Sequence, residues 1–222
     1  MRASLAAPLG LLLLTLSSCS TCGPILGPQA EVELSLRGLE RAPPPLEIEG
    51  AGRLELAHLA FDRVIVKPES SLWLAVATID ATGTLASPFG PIEVSCLGRE
   101  RIPFVRRGGG FAPAAGPLPT LAEALAVLIG RHQALARGDA ASLEGLVAKG
   151  YRDERATRER ALALARERMS LPLAPPQRFS VRLEKEGLEV LEETSGAAQP
   201  PRRARFTLVR EGGALRFASG LL

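Results

Sequence analysis

The sequence contains few of the residues from which metal and redox centres are built. Its 222 residues include two histidines, three cysteines, one tryptophan and one tyrosine, and asparagine is absent. Zinc sites draw on closely spaced cysteines and histidines, whereas His58 and His132 lie far apart in the chain. We therefore predict no metal site and no cofactor.

The sequence also lacks the charge of a nucleic-acid-binding protein and the motifs of the common enzyme classes. Its formal net charge is +3, from 27 basic and 24 acidic residues, which is too small an excess for nucleic acid. It has no Gly-x-Ser-x-Gly elbow and no Gly-x-x-x-x-Gly-Lys phosphate loop, and Gly108-Gly109-Gly110 is interpreted as part of a linker. We predict no catalytic residue, and a non-enzymatic role is favoured.

The N-terminus has the layout of an export signal. Met1-Arg2 is a short basic start, and Leu5 to Leu16 is a mostly apolar run. A membrane-spanning helix needs about 20 apolar residues, so this run is too short to span and is typical of a signal peptide.

The end of that run, Leu16-Ser17-Ser18-Cys19, resembles the bacterial lipobox. The resemblance implies a lipoprotein signal peptide at residues 1–18 and acylation of Cys19, by palmitate-like chains, which would anchor the protein to the cell envelope facing the periplasm. Ser20 follows Cys19 where an aspartate would favour the inner membrane, so the outer membrane is favoured. An ordinary cleaved signal peptide with an incidental cysteine is the alternative.

Residues 19–29 contain glycine and proline and are interpreted as a tether. If Cys19 is acylated, Cys22 and Cys96 remain, and they could form a disulfide in an oxidising periplasm. Unpaired thiols are the alternative.

Residues 30–112 are predicted to form a β-rich domain. Apolar residues alternate with polar ones in three short segments, a pattern typical of half-buried strands: Val32, Leu34 and Leu36; Leu46 and Ile48; Leu54 and Leu56. Further strand-like runs are separated by Pro68, Gly83, 88–90 and Gly98. These runs are 64–66, 72–79, 92–94 and 102–105. We expect a small antiparallel sandwich or open barrel, followed by a linker at 113–119. Trp73 is expected to pack in the core or between domains, and a ligand platform is the alternative.

Residues 120–222 are predicted to form an α+β domain that begins with three helices. Thr120 followed by Glu123 is a capping-box pattern, and an apolar stripe that ends near Gly138 follows: Leu121, Leu125, Leu128, His132 and Leu135. Asp139 is expected to cap the second helix, and Asp153 a third helix that reaches about Met169. Four strands should follow, at 179–183, 188–191, 203–209 and 215–217. Short turns at 185–187 and 211–213 should join them in pairs.

This second region resembles the nuclear transport factor 2-like superfamily, which includes SnoaL-like and ketosteroid-isomerase-like proteins. The resemblance rests on the segment 131–139, on the closing hairpin 208–217, and on Leu143, Leu146, Val147, Tyr151 and Asp153. The family implies a curved antiparallel sheet around a cone-shaped, mostly apolar pocket. The isomerase-type tyrosine would fall near Arg131, and no acid lies between Glu193 and Glu211, so the catalytic set of an isomerase is incomplete.

The sequence therefore predicts an α+β envelope lipoprotein that binds a small apolar ligand or an envelope protein. Candidate ligand-binding residues are His132, Tyr151, Phe206 and Phe217, and a closed core at the same place is the alternative. The second hypothesis is a SnoaL-like or ketosteroid-isomerase-like enzyme that acts on a small apolar substrate.

Overall fold

The computed structural model describes residues 27–153, 156–169, 171–196 and 199–221. Within these ranges, four helices pack with a strongly curled, half-barrel sheet, so the protein is mixed α+β as predicted. The signal peptide, Cys19 and Cys22 lie outside the described residues.

The helices and strands are numbered in chain order. The helices are α1 (Pro28–Arg41), α2 (Pro119–Arg137), α3 (Ala140–Gly145) and α4 (Arg158–Arg168). The strands before α2 are β1 (Leu46–Ile48), β2 (Gly52–Glu69), β3 (Leu72–Ser87), β4 (Gly90–Arg107) and β5 (Gly110–Pro113). The strands after α3 are β6 (Arg152–Asp153), β7 (Ala156–Thr157), β8 (Pro176–Leu183), β9 (Leu188–Gly196), β10 (Gln199–Glu211) and β11 (Ala214–Ser219).

The prediction of a first strand at Val32, Leu34 and Leu36 is wrong, because these residues lie in helix α1. Pro28 occupies the start of this helix, where its missing N–H costs nothing. Val32 and Leu36 are four residues apart and are both buried, while Leu34 lies on the opposite side of the helix and is 57% exposed. The last two residues of the expected tether are therefore helical.

Strands β2, β3 and β4 are long, and two glycines expected to separate strands lie inside them. A Cβ on Gly83, in β3, would lie 2.3 Å from the main-chain oxygen of Glu55 in β2. A Cβ on Gly98, in β4, would lie 2.2 Å from the main-chain oxygen of Leu183 in β8. These glycines allow neighbouring backbones to approach closely, and they do not end a strand.

One sheet runs through both halves of the chain. Its order is β1-β2-β3-β4-β8-β9-β10-β11, with β5 also paired to β4. Strands β4 and β8 pair in parallel, Glu93–Gly98 against Arg178–Leu183, and the other pairs are antiparallel. The sheet thus crosses the linker expected at 113–119, and the division into two domains stays a prediction.

The start of α2 differs from the capping box expected from Thr120 and Glu123. The helix begins at Pro119, and the Thr120 hydroxyl donates to the carboxylate of Glu100 on β4. Glu123 accepts hydrogen bonds from Arg210 and from the main-chain nitrogen of Leu215 instead. A buried carboxylate from the sheet therefore replaces the local cap, whereas the end of α2 at Gly138, in the left-handed conformation, is as expected.

Of the two helix caps predicted next along the chain, one is confirmed and the other is wrong. Asp139 caps α3, because its carboxylate accepts a hydrogen bond from the main-chain nitrogen of Ser142 at 3.0 Å. Asp153 does not cap α4. That helix begins at Arg158 with Thr157 as its cap, and Asp153 lies in the short β6–β7 hairpin.

Among the described residues, most buried apolar side chains belong to one of two clusters. The larger core lies between α2 and the curled sheet and takes side chains from both halves of the chain, including Leu54 and Phe217. The smaller core lies under α1 and includes Val32 and Phe104, with Trp73 packed against it. The expected packing role of Trp73 is thus confirmed, since its ring meets Phe111 edge to face at 6.1 Å.

Candidate functional site

A buried acid–histidine pair lies between α2 and the sheet. His132 belongs to the apolar face of α2, and Glu192 points inward from β9, in step with Leu188 and Val190. Nε2 of His132 is 2.9 Å from Oε2 of Glu192, and the two residues are 4% and 2% exposed. A buried carboxylate needs such a partner to remain charged.

Arg131 completes a buried cluster with this pair, which we call the Arg–His–Glu cluster (Arg131, His132 and Glu192). Its Nη1 lies 3.3 Å from Oε2 of Glu192, and its Nε donates to the main-chain oxygen of Leu221 at 2.9 Å. The guanidinium also lies over the Phe206 ring, 4.7 Å from the centroid, in a cation–π contact. The arginine is therefore held on three sides.

The pKa of Glu192 is lowered by this arrangement. Burial on its own raises the pKa, but the charge of Arg131 and the hydrogen bond from His132 act in the opposite direction and outweigh it. Glu192 is therefore a carboxylate in the folded protein at neutral pH.

A cavity of about 230 Å³ lies against His132. The segment between α4 and β8 forms much of its wall, and Phe89, from the turn between β3 and β4, closes another side. His132 is the one polar side chain among the lining residues described, which are Phe89, His132, Ala136, Met169, Leu171, Pro172, Leu173, Ala174 and Pro175. The side chains of the cavity are thus apolar apart from a single polar group, while about half of its exposed surface is polar because main-chain atoms also line it.

The other three candidate ligand-binding residues have different surroundings. Phe206 and Phe217 are fully buried and pack edge to face at 5.6 Å within the larger core. The Tyr151 hydroxyl donates to Asp153 and accepts a hydrogen bond from the main-chain nitrogen of Leu221 at 3.1 Å. These three side chains belong to the larger core, and none of them is among the described residues that line the cavity at His132.

Tyr151 and Asp153 hold a segment of backbone. Asp153 accepts a hydrogen bond from the main-chain nitrogen of Gly220 at 3.0 Å, next to the Leu221 nitrogen bound by Tyr151. Burial raises the pKa of Tyr151, and the neighbouring Asp153 carboxylate adds to this effect. The phenol therefore remains protonated and acts as a structural hydrogen-bonding group.

Cys96 lies on the inward face of β4 and is 2% exposed. Burial raises the pKa of its thiol, and the charge of Glu100 adds to the shift, so the thiol is protonated and unreactive. The pairing expected with Cys22 stays a prediction because Cys22 lies outside the described residues.

The sequence predicted His132 as a site residue, but it did not reveal the hydrogen-bond partner of His132 or the residues that form the cavity beside it. Glu192 had a detectable signal, because it continues the inward alternation Leu188, Val190, Glu192 and so places an acid on an apolar strand face. Phe89 and the segment 171–175 had none, since their approach to His132 depends on how the sheet curls.

In the described part of the chain, no three His, Cys, Asp or Glu side chains lie close enough to hold a metal ion. None of the described helices combines the length and apolar character needed to cross a membrane. Comparison with protein-family models, curated proteins and solved structures finds no significant match.

Proposed function

We propose that this protein is a lipid-anchored envelope protein whose cavity beside His132 binds a small apolar molecule. The observation that carries the proposal is the composition of the cavity, in which apolar side chains surround one buried histidine. That histidine is oriented by a carboxylate 2.9 Å away. The sequence resemblance of the second region to the nuclear transport factor 2-like superfamily also supports the proposal, because that family implies a curved sheet around a mostly apolar pocket.

The proposal is tested by thermal unfolding of the protein with small aromatic ligands such as naphthalene. A ligand present at about 100 times its dissociation constant stabilises the fold by roughly 2.7 kcal/mol. Ala136→Phe places a ring at the cavity wall and should abolish this stabilisation. Ala141→Phe makes the same change at an exposed position on α3 and should leave binding unchanged.

The contrary result is that no apolar compound raises the melting temperature of the wild-type protein. The cavity would then be a packing defect, and the protein-interaction role would be preferred. Leu171, which is 61% exposed at the cavity wall, would be the first position to substitute in a search for a partner.

The membrane anchor is supported by the segment Leu16-Ser17-Ser18-Cys19 and the apolar run before it. A diacylated cysteine with an N-acyl group anchors a protein stably, whereas one chain binds only marginally. Intact-mass analysis of the detergent-extracted protein should give a mature chain that begins at acylated Cys19. An unmodified N-terminus at any other residue contradicts the anchor, and Cys19→Ala should yield an uncleaved or soluble product.

The pairing of Glu192 with His132 also favours a second candidate function, proton transfer on a small apolar substrate. A carboxylate that orients a histidine is the arrangement of a general base. Cyclohex-3-enone is a small test substrate, because moving its double bond into conjugation requires removal and return of one proton. A conversion that is lost in His132→Gln would identify an enzyme, and an absence of conversion in the wild type would leave the binding role alone.

A further inference from the structure

Two groups compete for Nε2 of His132, and the distances show where the proton lies. Oε2 of Glu192 is 2.9 Å from Nε2, and Nη1 of Arg131 is 3.3 Å from it. A carboxylate only accepts hydrogen bonds, so the shorter contact requires a proton on Nε2. The guanidinium only donates, and therefore it serves the carboxylate and not the ring.

The second ring nitrogen, Nδ1, belongs to a side chain that lines the cavity. The polar side-chain contacts of His132 with described residues are both at Nε2. Among the described residues, the enclosed side-chain nitrogen and oxygen atoms without a partner belong to Glu31, Arg158 and Arg216. Nδ1 of His132 is thus not an enclosed atom, and the cavity is the open space that this side chain lines.

The charges in the Arg–His–Glu cluster bear on whether Nδ1 donates or accepts a hydrogen bond. Arg131 and Glu192 carry opposite charges that cancel, so a neutral imidazole leaves the buried cluster neutral as well. With its proton on Nε2, a neutral ring presents Nδ1 as a hydrogen-bond acceptor.

We propose that the ligand of this cavity is a ring-sized apolar molecule that carries one hydroxyl group, and that this hydroxyl donates to Nδ1 of His132. The inference rests on the proposed binding function and names the ligand class for it. A dry cavity of about 150 Å³ holds benzene, so a cavity of about 230 Å³ admits a larger ring system. Carboxylate ligands are disfavoured, because an acceptor cannot share Nδ1 and Glu192 already supplies the local negative charge.

The test compares three ligands of similar shape on the full protein. 2-Naphthol can donate a hydrogen bond, 2-methoxynaphthalene can only accept one, and 2-methylnaphthalene can do neither. One neutral hydrogen bond corresponds to about a five- to tenfold change in affinity. Titration calorimetry should therefore give 2-naphthol a dissociation constant lower by about that factor than both others.

Two further measurements keep the inference falsifiable. His132→Phe should make the three affinities equal, and Glu189→Gln, on the outward face of the same strand as Glu192, should preserve the preference. In the wild type, the ¹⁵N resonance of His132 Nδ1 should lie in the unprotonated range and should shift when 2-naphthol binds. This measurement does not require His132→Phe to fold.

Equal binding of the three ligands, or tighter binding of 2-naphthoate, would overturn the hydroxyl inference and leave the binding function standing. If no naphthalene derivative binds at all, the proposed function fails together with the inference.

Discussion

Oε1 of Glu100, on β4, accepts a hydrogen bond from the main-chain nitrogen of Thr120 at 3.3 Å, at the first turn of α2. The same carboxylate accepts from the main-chain nitrogen of Leu121 and from the Thr120 hydroxyl. Because α2 carries Arg131 and His132 on its buried face, this contact fixes the helix on which the cavity depends.

Glu100→Ala should lower the free energy of unfolding by about 2 to 4 kcal/mol, since it leaves the first main-chain N–H groups of α2 buried without an acceptor. Glu100→Gln keeps one acceptor oxygen but replaces the other with a donor, and both carboxylate oxygens accept hydrogen bonds here. It should therefore cost about 1 to 3 kcal/mol, less than the alanine variant. Urea unfolding measures both values. Glu47→Gln, whose side chain is 75% exposed, is the control and should change little; equal losses at the two positions would contradict the capping role.

The pH dependence of stability should reflect Glu192. Its pKa in the folded protein lies below the ordinary value of 4.5. Its contribution is therefore fully present above about pH 4.5, and it is lost as the pH falls through the lowered value. Near pH 7, Glu192→Gln should cost roughly 3 to 5 kcal/mol, because Arg131 is left as an uncompensated buried charge.

The difference in unfolding free energy between wild type and Glu192→Gln should shrink steadily as the pH is lowered below 4.5. Glu189→Gln, at an exposed position of β9, is the matched control and should show no such trend. A difference that stays constant with pH would mean that Glu192 is not charged in the folded protein.

Gly83→Ala should destabilise the protein by roughly 1 to 3 kcal/mol, because the new Cβ would lie 2.3 Å from the main-chain oxygen of Glu55 and the strands must move apart. Gly110→Ala is the control, since no atom beyond its chain neighbours lies within 4 Å of the added Cβ. Its effect should stay within about 0.5 kcal/mol. Thermal unfolding of the two variants gives the comparison, and equal effects would exclude the close approach at Gly83.

The shared sheet predicts that the chain unfolds in one transition. Strand β4 lies before the predicted linker at 113–119, and it pairs with β8 after it. The larger core also contains residues from both sides. Calorimetry should give equal calorimetric and van't Hoff enthalpies. Two transitions, or brief proteolysis at Arg106-Arg107 that releases two compact fragments, would support the two-domain division instead.

The parts of the fold that could be predicted are those determined by local sequence. The stripe from Leu121 to Leu135, the cap at Asp139 and the closing hairpins depend on residues within one or two turns of each other, and they are present. The alternation at Val32, Leu34 and Leu36 fits a strand, but Val32 and Leu36 also have helical spacing. The packing of that face against the sheet decided the outcome.

The parts that could not be predicted depend on contacts distant in sequence. Glu100 caps α2 from 20 residues away, and the partner of His132 lies 60 residues from it. Neither distance is encoded in a local pattern. From the sequence, Glu192 could be recognised only as an acid at an inward position of a strand. Its pairing with His132 could not be predicted, because it depends on how the sheet curls.

The central claim, that the cavity beside His132 binds a small apolar molecule, can be tested with one side chain. The sequence contains two methionines, Met1 in the predicted signal peptide and Met169 in the cavity wall. In protein labelled with ¹³C at the methionine methyl groups, the Met169 resonance should therefore report directly on the cavity. During a titration with naphthalene, we predict that this resonance shifts and saturates, while the indole resonance of Trp73, against the smaller core, stays in place. A Met169 resonance that does not move up to the solubility limit of the ligand, or that moves no more than that of Trp73, would contradict the claim.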